Sequence, residues 1–99
     1  MPSDIRDSFT VEVGRRLAAA REAAGFSQVE FSRRLGLPTA ANLSNWENGW
    51  SMLPPKYIPK IFLLTKITSD YLYLGDATGL PHALYEKLFS NAGSNKSAS

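Results

Sequence analysis

Cysteine is absent from this 99-residue chain, and histidine occurs once, at His82. Without cysteine, neither a disulfide framework nor a cysteine-based zinc site can stabilise the fold, so side-chain packing must do so. A single histidine provides no cluster of ionisable ligands for general acid–base or metal chemistry. We therefore expect no metal, no cofactor, no small-molecule substrate and no enzymatic activity.

Long apolar runs and phosphate-binding loops are also missing. No stretch approaches the roughly 18 to 20 apolar residues that a membrane span requires, and the first residues lack a charged segment followed by an apolar run. Gly75 and Gly79 lie close together, but no lysine–serine pair follows them as it does in a phosphate loop. These absences predict no membrane partner and a cytoplasmic location.

The charge balance is nearly even, with 11 Lys plus Arg against 9 Asp plus Glu and a pI of about 9.1. This excess is compatible with a polyanionic partner, although a solvated surface explains it more simply. The distribution carries more information. Five arginines lie between residues 15 and 34, whereas all basic residues in the later half are lysines.

Apolar residues at steps of three and four predict the first two helices. The first covers about residues 9–24 and ends before Gly25; its apolar row is Phe9, Val13, Leu17, Ala20 and Ala24. The second covers residues 28–35, because Ser27 and Glu30 have the spacing of a capping box and Gly36 follows as a stop.

Four further short helices are expected, and no strand pattern competes with them. The third covers about residues 40–48, and the fourth begins either at Pro55 or near Ile58, since Pro59 is unfavourable beyond the first turn. Thr68 caps a fifth helix that Gly75 ends. The sixth is indicated by the row Leu80, Leu84 and Leu88.

The second and third helices, joined by a tight turn at Gly36, have the outline of a helix-turn-helix. Characteristic residues surround them: Gly14, Leu17, Arg21, Gly25, Ser27, Gln28, Phe31, Leu35, Gly36, Leu43, Ser44, Trp46, Glu47, Gly49, Pro54 and the string TSDYLYLGD. Together they resemble the lambda-repressor/Cro-like helix-turn-helix family, also called the XRE family, over residues 9–76.

The resemblance implies an all-α fold, a five-helix lambda-repressor-like bundle containing the helix-turn-helix, with a short extra C-terminal helix. The corresponding organisation is a flexible N-terminus (1–8), a DNA-binding domain (9–76), a C-terminal helical extension (77–89) and a disordered tail (90–99). In this family the third helix enters the DNA major groove and the second lies across the phosphate backbone.

Two positions match backbone-contacting positions of the family. Gln28 begins the second helix, where free N–H groups favour a phosphate; it can also be read simply as the first helical residue. Asn48 ends the third helix and can likewise be read as an ordinary helix-ending asparagine. Arg21 and Glu47 occupy family positions that often form a structural ion pair between the first and third helices.

The chain departs from the family between Gly36 and Glu47, where one residue is inserted either in the turn or at the start of the third helix. Alignment backward from Leu43 and Glu47 gives these candidates for base reading: Ala40, Ala41, Asn42, Ser44 and Asn45. An asparagine amide can read adenine and an alanine can touch a thymine methyl group, while no arginine is available for guanine. We therefore expect a preference for A·T pairs.

Both tryptophans lie at the end of this region. Trp46 takes the place of an aliphatic core residue of the family and is expected to anchor the bundle. Trp50 follows Gly49, where the family commonly has a basic residue. It is expected to pack over the fourth helix, with a partner surface and a deoxyribose as alternatives.

The functional hypothesis is a sequence-specific, double-stranded-DNA-binding transcriptional regulator, a repressor of bacterial or phage type that acts as a homodimer. The alternative is a protein-interaction module, such as an antitoxin-like or regulatory partner. In that case the row Leu80, Leu84 and Leu88 offers an apolar surface to a partner helix. The same row is also explained by packing against its own bundle.

Overall fold

The computed structural model describes the backbone of residues 7–97 and the side chains of residues 7–89. Within that part the chain is helical, without strands. Its α-helices are α1 (Ser8–Ala23), α2 (Gln28–Leu35), α3 (Ala41–Glu47), α4 (Ile58–Thr65), α5 (Ser69–Leu74) and α6 (His82–Ser97), and a 3-10 turn (Pro55–Tyr57) precedes α4. The predicted all-helical, helix-turn-helix-containing bundle is confirmed.

Local side-chain hydrogen bonds determine where the helices start. Asp7 accepts a bond from the N–H of Thr10 (2.7 Å), and Ser27 accepts one from the N–H of Glu30 (3.1 Å). Thr68 does the same for Tyr71 at the start of α5 (3.1 Å). Each cap satisfies a donor that the first turn of a helix leaves unpaired.

Glycines in the left-handed region end α2 and α5. Gly36 has a φ of 81° and Gly75 a φ of 77°, which only glycine adopts without steric cost. Helix α4 ends instead on Lys66, a non-glycine residue with a φ of 68°. The glycine stops predicted for α2 and α5 are thus confirmed, whereas the end of α4 has no such signal in the sequence.

Two local expectations need correction, and one open alternative is decided. Phe9 is half exposed in the first turn of α1, and Ala24 is exposed because it follows the helix as its C-cap residue. Only the serine half of the capping box forms, since the carboxylate of Glu30 binds Arg33 and Arg34. Of the two starts expected for the fourth helix, the one near Ile58 is confirmed, because only a 3-10 turn begins at Pro55.

All six helices contribute side chains to the core. Its largest fully buried side chains include Leu17, Phe31, Leu43, Ile61 and Leu72. Trp46 is 6% exposed, and its ring centroid lies 5.1 Å from that of Tyr57. The predicted anchoring role of Trp46 is confirmed by this burial.

Helix α6 packs against the bundle through the predicted leucine row. Leu84 is buried in the core cluster, and Leu80 and Leu88 pack against it while partly buried. The helix spans His82–Ser97 and is longer than the short helix expected, while residues 77–81 are not helical. The division into domains stays a prediction. The flexible N-terminus concerns mostly residues outside the described part, and the tail lies beyond the described side chains.

Candidate nucleic-acid interface

Helix α3 crosses α1 at a distance that only glycine permits. A Cβ added to Gly14 would lie 2.1 Å from the carbonyl oxygen of Trp46 and 2.8 Å from that of Glu47. At the end of α3, Gly49 has a φ of 80°, and a Cβ there would lie 2.8 Å from Cγ2 of Val11. The backbone of α3 is therefore seated directly on α1, which fixes the direction of its outer face.

That outer face carries most of the residues predicted to read bases. Ala41, Asn42 and Asn45 are exposed, whereas Leu43 and Trp46 on the opposite side are buried. Steps of three and four along a helix place residues on one side. The structure therefore brings two amides and a methyl group together on one solvent-facing surface, called here the α3 face.

The other two candidates lie at its margin. Ala40 precedes the helix as its N-terminal cap residue and is half-buried. It has no side-chain cap bond, and the hydroxyl of Thr39 accepts from the N–H of Ala41 instead (3.2 Å). Ser44 is also half-buried, and its Oγ accepts a bond from Nδ2 of Asn48 at 3.3 Å. Ser44 therefore lies at the edge of the α3 face and forms a hydrogen bond with the side chain of Asn48.

Arg21 and Glu47 form a bidentate ion pair between α1 and α3. Nε of Arg21 donates to Oε2 of Glu47 (2.7 Å) and Nη2 donates to Oε1 (3.1 Å). The two side chains are only 10% and 5% exposed, and the hydrogen bond to Glu47 raises the pKa of Arg21 above its ordinary value. Nη1 of Arg21 also donates to the carbonyl of Phe26 (2.7 Å), so the pair reaches the start of α2.

Gln28 joins this network. Its Nε2 donates to Oε1 of Glu47 at 2.8 Å, so one carboxylate links the first residue of α2 to the last residue of α3. Nε2 of Gln28 makes no second hydrogen bond to the described residues. The backbone N–H groups of Gln28 and Val29 have no partner among the described residues. The start of α2 therefore offers donors to an anion beside the α3 face.

The arginines are not available as free charges in this region. Arg33 and Arg34 both bind Glu30, and Arg15 binds Glu12. Arg16 donates to the carbonyl of Leu72 at the end of α5 (3.1 Å), where a cation is favoured. With Arg21 held by Glu47, all five arginines in the described part of the chain are bound to protein groups.

Trp50 lies just beyond α3 and is 54% exposed. Its backbone N–H donates to the carbonyl of Asn45 (2.9 Å), which holds this position close to the end of the helix. The expected packing of Trp50 over the fourth helix stays a prediction, since just under half of the residue is covered. Its two alternative roles, against a partner protein or against a deoxyribose, stay hypotheses.

Neither a metal site nor a membrane span competes with this surface in the part of the chain that the structure describes. There, histidine, aspartate and glutamate form no group of three close enough to bind an ion. No helix in the same range is both long and apolar enough to cross a bilayer.

Two features of the site were missed by sequence reasoning. The Gln28–Glu47 bond joins residues 19 positions apart on different helices, and no spacing rule connects them. No spacing rule predicts the contact of Gly14 with α3 either, although a glycine in the middle of a helix can indicate close helix packing. Glycine costs about 1 kcal/mol relative to alanine there, so its presence points to a close approach.

Comparison with known proteins gives a result consistent with this geometry. A family model described as a helix-turn-helix domain matches residues 12–88, which extends from α1 into α6. No curated protein and no solved structure matches the chain.

Proposed function

Because this chain belongs to the helix-turn-helix domain family, we propose that it is a sequence-specific, double-stranded-DNA-binding transcriptional regulator. Its similarity to the lambda-repressor/Cro-like branch supports a repressor of bacterial or phage type. The observation that carries the proposal is the α3 face, with its exposed Asn42 and Asn45, set beside the unpaired N–H groups at the start of α2. An enzymatic role is not proposed.

In this mechanism α3 lies in the major groove, where each base pair presents a distinct set of donors and acceptors. Asn42 and Asn45 offer the amide geometry that reads adenine, and Ala41 offers a methyl group to thymine. Helix α3 contains no arginine or lysine, so guanine contacts are not favoured. A preference for A·T pairs at the contacted positions follows.

The start of α2 fixes the position of α3 along the duplex. The N–H groups of Gln28 and Val29 and the remaining amide hydrogen of Gln28 can donate to a phosphate, which sets register without reading sequence. The carboxylate of Glu47 binds both Arg21 and Gln28, so the phosphate-binding donors and the base-reading helix move as one unit. A homodimer would present two such units to a near-palindromic site.

The proposal is tested by selecting bound duplexes from a random DNA pool at near-physiological salt. We expect enrichment of a near-palindrome whose half-sites lie one helical turn apart and are rich in A·T pairs. The variant Asn45→Ala should relax the preference at one base position. In the wild-type protein, a wrong base pair at such a position costs about 1–3 kcal/mol of binding free energy. Gln28→Ala should weaken binding about equally on all sequences.

Thermal melts of both variants are needed because Gln28→Ala also removes a partner of Glu47. Unchanged affinity and preference in two folded variants would show that the interface lies elsewhere. If the folded wild-type protein enriched no sequence above the starting pool, the DNA-binding proposal itself would be wrong.

A protein-interaction module is the second candidate, and one observation favours it. Large apolar side chains are exposed on α4, α5 and α6: Phe62, Leu63, Leu74, Tyr85 and Phe89. Among these, the rings of Tyr85 and Phe89 lie 4.7 Å apart, and contiguous exposed apolar surface is typical of protein-binding sites. A folded protein that selects no DNA would favour this function.

A further inference from the structure

Helix α4 has an outward surface that is separate from the α3 face. Ile61 and Thr65, on the inner side of this helix, are buried. Five exposed residues on its other side are linked by steps of three and four, a spacing that makes residues neighbours on one side of a helix. This surface, called here the α4 face, consists of Pro59, Lys60, Phe62, Leu63 and Lys66.

The middle of the α4 face is apolar. Leu63 is 68% exposed and Phe62 is 43% exposed, and Pro59 beside them is exposed as well. Neither Phe62 nor Leu63 belongs to the buried core cluster. Adjoining apolar side chains that stay exposed in a folded protein are typical of a protein-binding site.

Lysines border this apolar middle. Lys60 lies towards the start of α4 and Lys66 at its end, and no salt bridge forms to either of them within the described residues. Nζ of Lys66 lies 5.5 Å from the centroid of the Phe62 ring. Residues 48–69 contain three lysines and no acidic residue. The α4 face is therefore an apolar patch with a positive rim.

The backbone at Lys66 is unusual for a lysine. Lys66 ends α4 in the left-handed region with a φ of 68°, whereas glycine takes the corresponding place at the ends of α2 and α5. A residue with a Cβ is disfavoured in this conformation, and the exposed side chain adds nothing to the core. Lysine thus adds charge to the rim at a position where glycine would suit the backbone better.

Charge and shape distinguish the possible occupants of the α4 face. A second copy of the chain in a two-fold contact would place lysines against lysines. A phosphate backbone would pair with the lysines but would offer no apolar surface to Phe62 and Leu63. Helices that lie in a lipid interface often have about 20–30 residues, whereas α4 has 8. A protein segment with both acidic and apolar residues matches the whole face.

We propose that the α4 face binds a segment of another protein in which acidic residues flank apolar ones. The apolar residues of that segment cover Phe62 and Leu63, and its carboxylates pair with Lys60 and Lys66. This inference rests on the second candidate function, protein interaction, and requires no DNA binding. A DNA-binding protein can make the same contact, because no residue of the α4 face belongs to the α3 face or to the start of α2.

The test begins with the selection of binding peptides from a random library displayed on phage. We expect the enriched peptides to contain aspartate or glutamate next to large apolar residues. Fluorescence anisotropy of one labelled, enriched peptide then measures its affinity for the protein. This affinity should fall as the salt concentration rises, because salt screens exposed charge pairs.

Substitutions separate the apolar middle from the rim. Phe62→Ser with Leu63→Ser should weaken peptide binding at least about tenfold, since both central contacts are lost. Lys60→Gln and Lys66→Gly should each weaken it by about two- to fivefold and reduce its salt dependence. Glycine suits the left-handed backbone at position 66, so this variant loses the charge without loss of fold.

The matched control is Leu74→Ser with Tyr85→Ser, which removes exposed apolar side chains from α5 and α6. This control should bind the peptide as the wild type does, and circular dichroism melts verify the fold of every variant. The inference would be overturned by a selection that enriches no peptide or only peptides without acidic residues. An equal loss of peptide binding in the control and in the Phe62/Leu63 variant would also overturn it.

The other occupants give different results. Binding to phosphatidylserine vesicles that is lost in the Phe62/Leu63 variant would assign the α4 face to a membrane surface and overturn the inference. Dimerisation in sedimentation experiments that is lost in the same variant would assign it to a second copy, with the same consequence.

Binding to the selected DNA duplex is measured in parallel for each variant. If the wild type binds this duplex but no peptide, the inference is wrong and the DNA-binding function stands. If it binds peptides through the α4 face but no duplex, the inference stands and the DNA-binding function is wrong.

Discussion

At the scale of single residues, one close backbone contact, between Gly14 and α3, determines how α3 packs on α1. Gly14 has no side chain, and it is this absence that lets the carbonyl groups of Trp46 and Glu47 approach α1. The atoms that a Cβ would meet are backbone atoms in a helix, so no side chain can rotate away. A methyl group at this position must therefore displace α3 as a whole.

We expect Gly14→Ala to lower the free energy of unfolding by about 3 kcal/mol, at the upper end of the usual cost of overpacking. Gly79→Ala is the control, since its Cβ would lie 3.8 Å from Cγ2 of Thr68, an ordinary contact. That change should cost less than about 0.5 kcal/mol. Chemical denaturation measures both, and equal midpoints for the two variants would contradict the close packing of α3 on α1.

At the scale of helices, the sequence predicts the caps and stops at helix ends better than the contacts between helices. Ser27 and Thr68 start α2 and α5, and glycines end them, because caps and stops involve residues within four positions of each other. The exposure of Phe9 could not be predicted from such local signals, because it depends on whether another element covers the first turn of α1. The same limit applies to the candidate site: its exposed asparagines follow from helical periodicity, but the Gln28–Glu47 bond requires the tertiary fold.

One helix start predicts a pH dependence. The N-terminal cap Asp7 accepts hydrogen bonds from the N–H and the hydroxyl of Thr10, and these bonds hold the pKa of Asp7 below its ordinary value of 3.8. A carboxylate with a lower pKa in the folded state stabilises the protein above the unfolded pKa. This contribution is lost as the pH falls through the folded value.

The variant Asp7→Asn retains a side-chain acceptor but does not titrate. We therefore expect the difference in unfolding free energy between wild type and Asp7→Asn to shrink as the pH is lowered from about 5 to 2. Urea denaturation at several pH values measures this difference. Parallel curves for the two proteins over that range would show that the cap contributes no charge-dependent stability.

At the scale of the whole molecule, the dimensions of the domain match the spacing of the half-sites proposed for a dimer. The Cα atoms span 36 × 36 × 23 Å, and one turn of B-DNA measures about 34–36 Å. Two copies side by side can therefore place their α3 faces in successive major grooves on one side of the duplex. Residues 48–69 contain three lysines and no acidic residue, whereas the rest of the chain has a net charge of −1.

This size match makes the spacing of half-sites a sharp test of the proposed homodimer. Inserting five base pairs between the selected half-sites rotates one of them by about half a turn, to the opposite side of the duplex. We expect affinity to fall at least tenfold, to the value measured for a duplex with a single half-site, because only one α3 face then reaches its bases. A duplex of the original length with a changed central sequence is the control and should keep most of the affinity, since its half-sites still face the same side. Full binding to the lengthened site would mean that each copy reads its half-site independently, and the homodimer would have to be abandoned while the assignment of the α3 face survived.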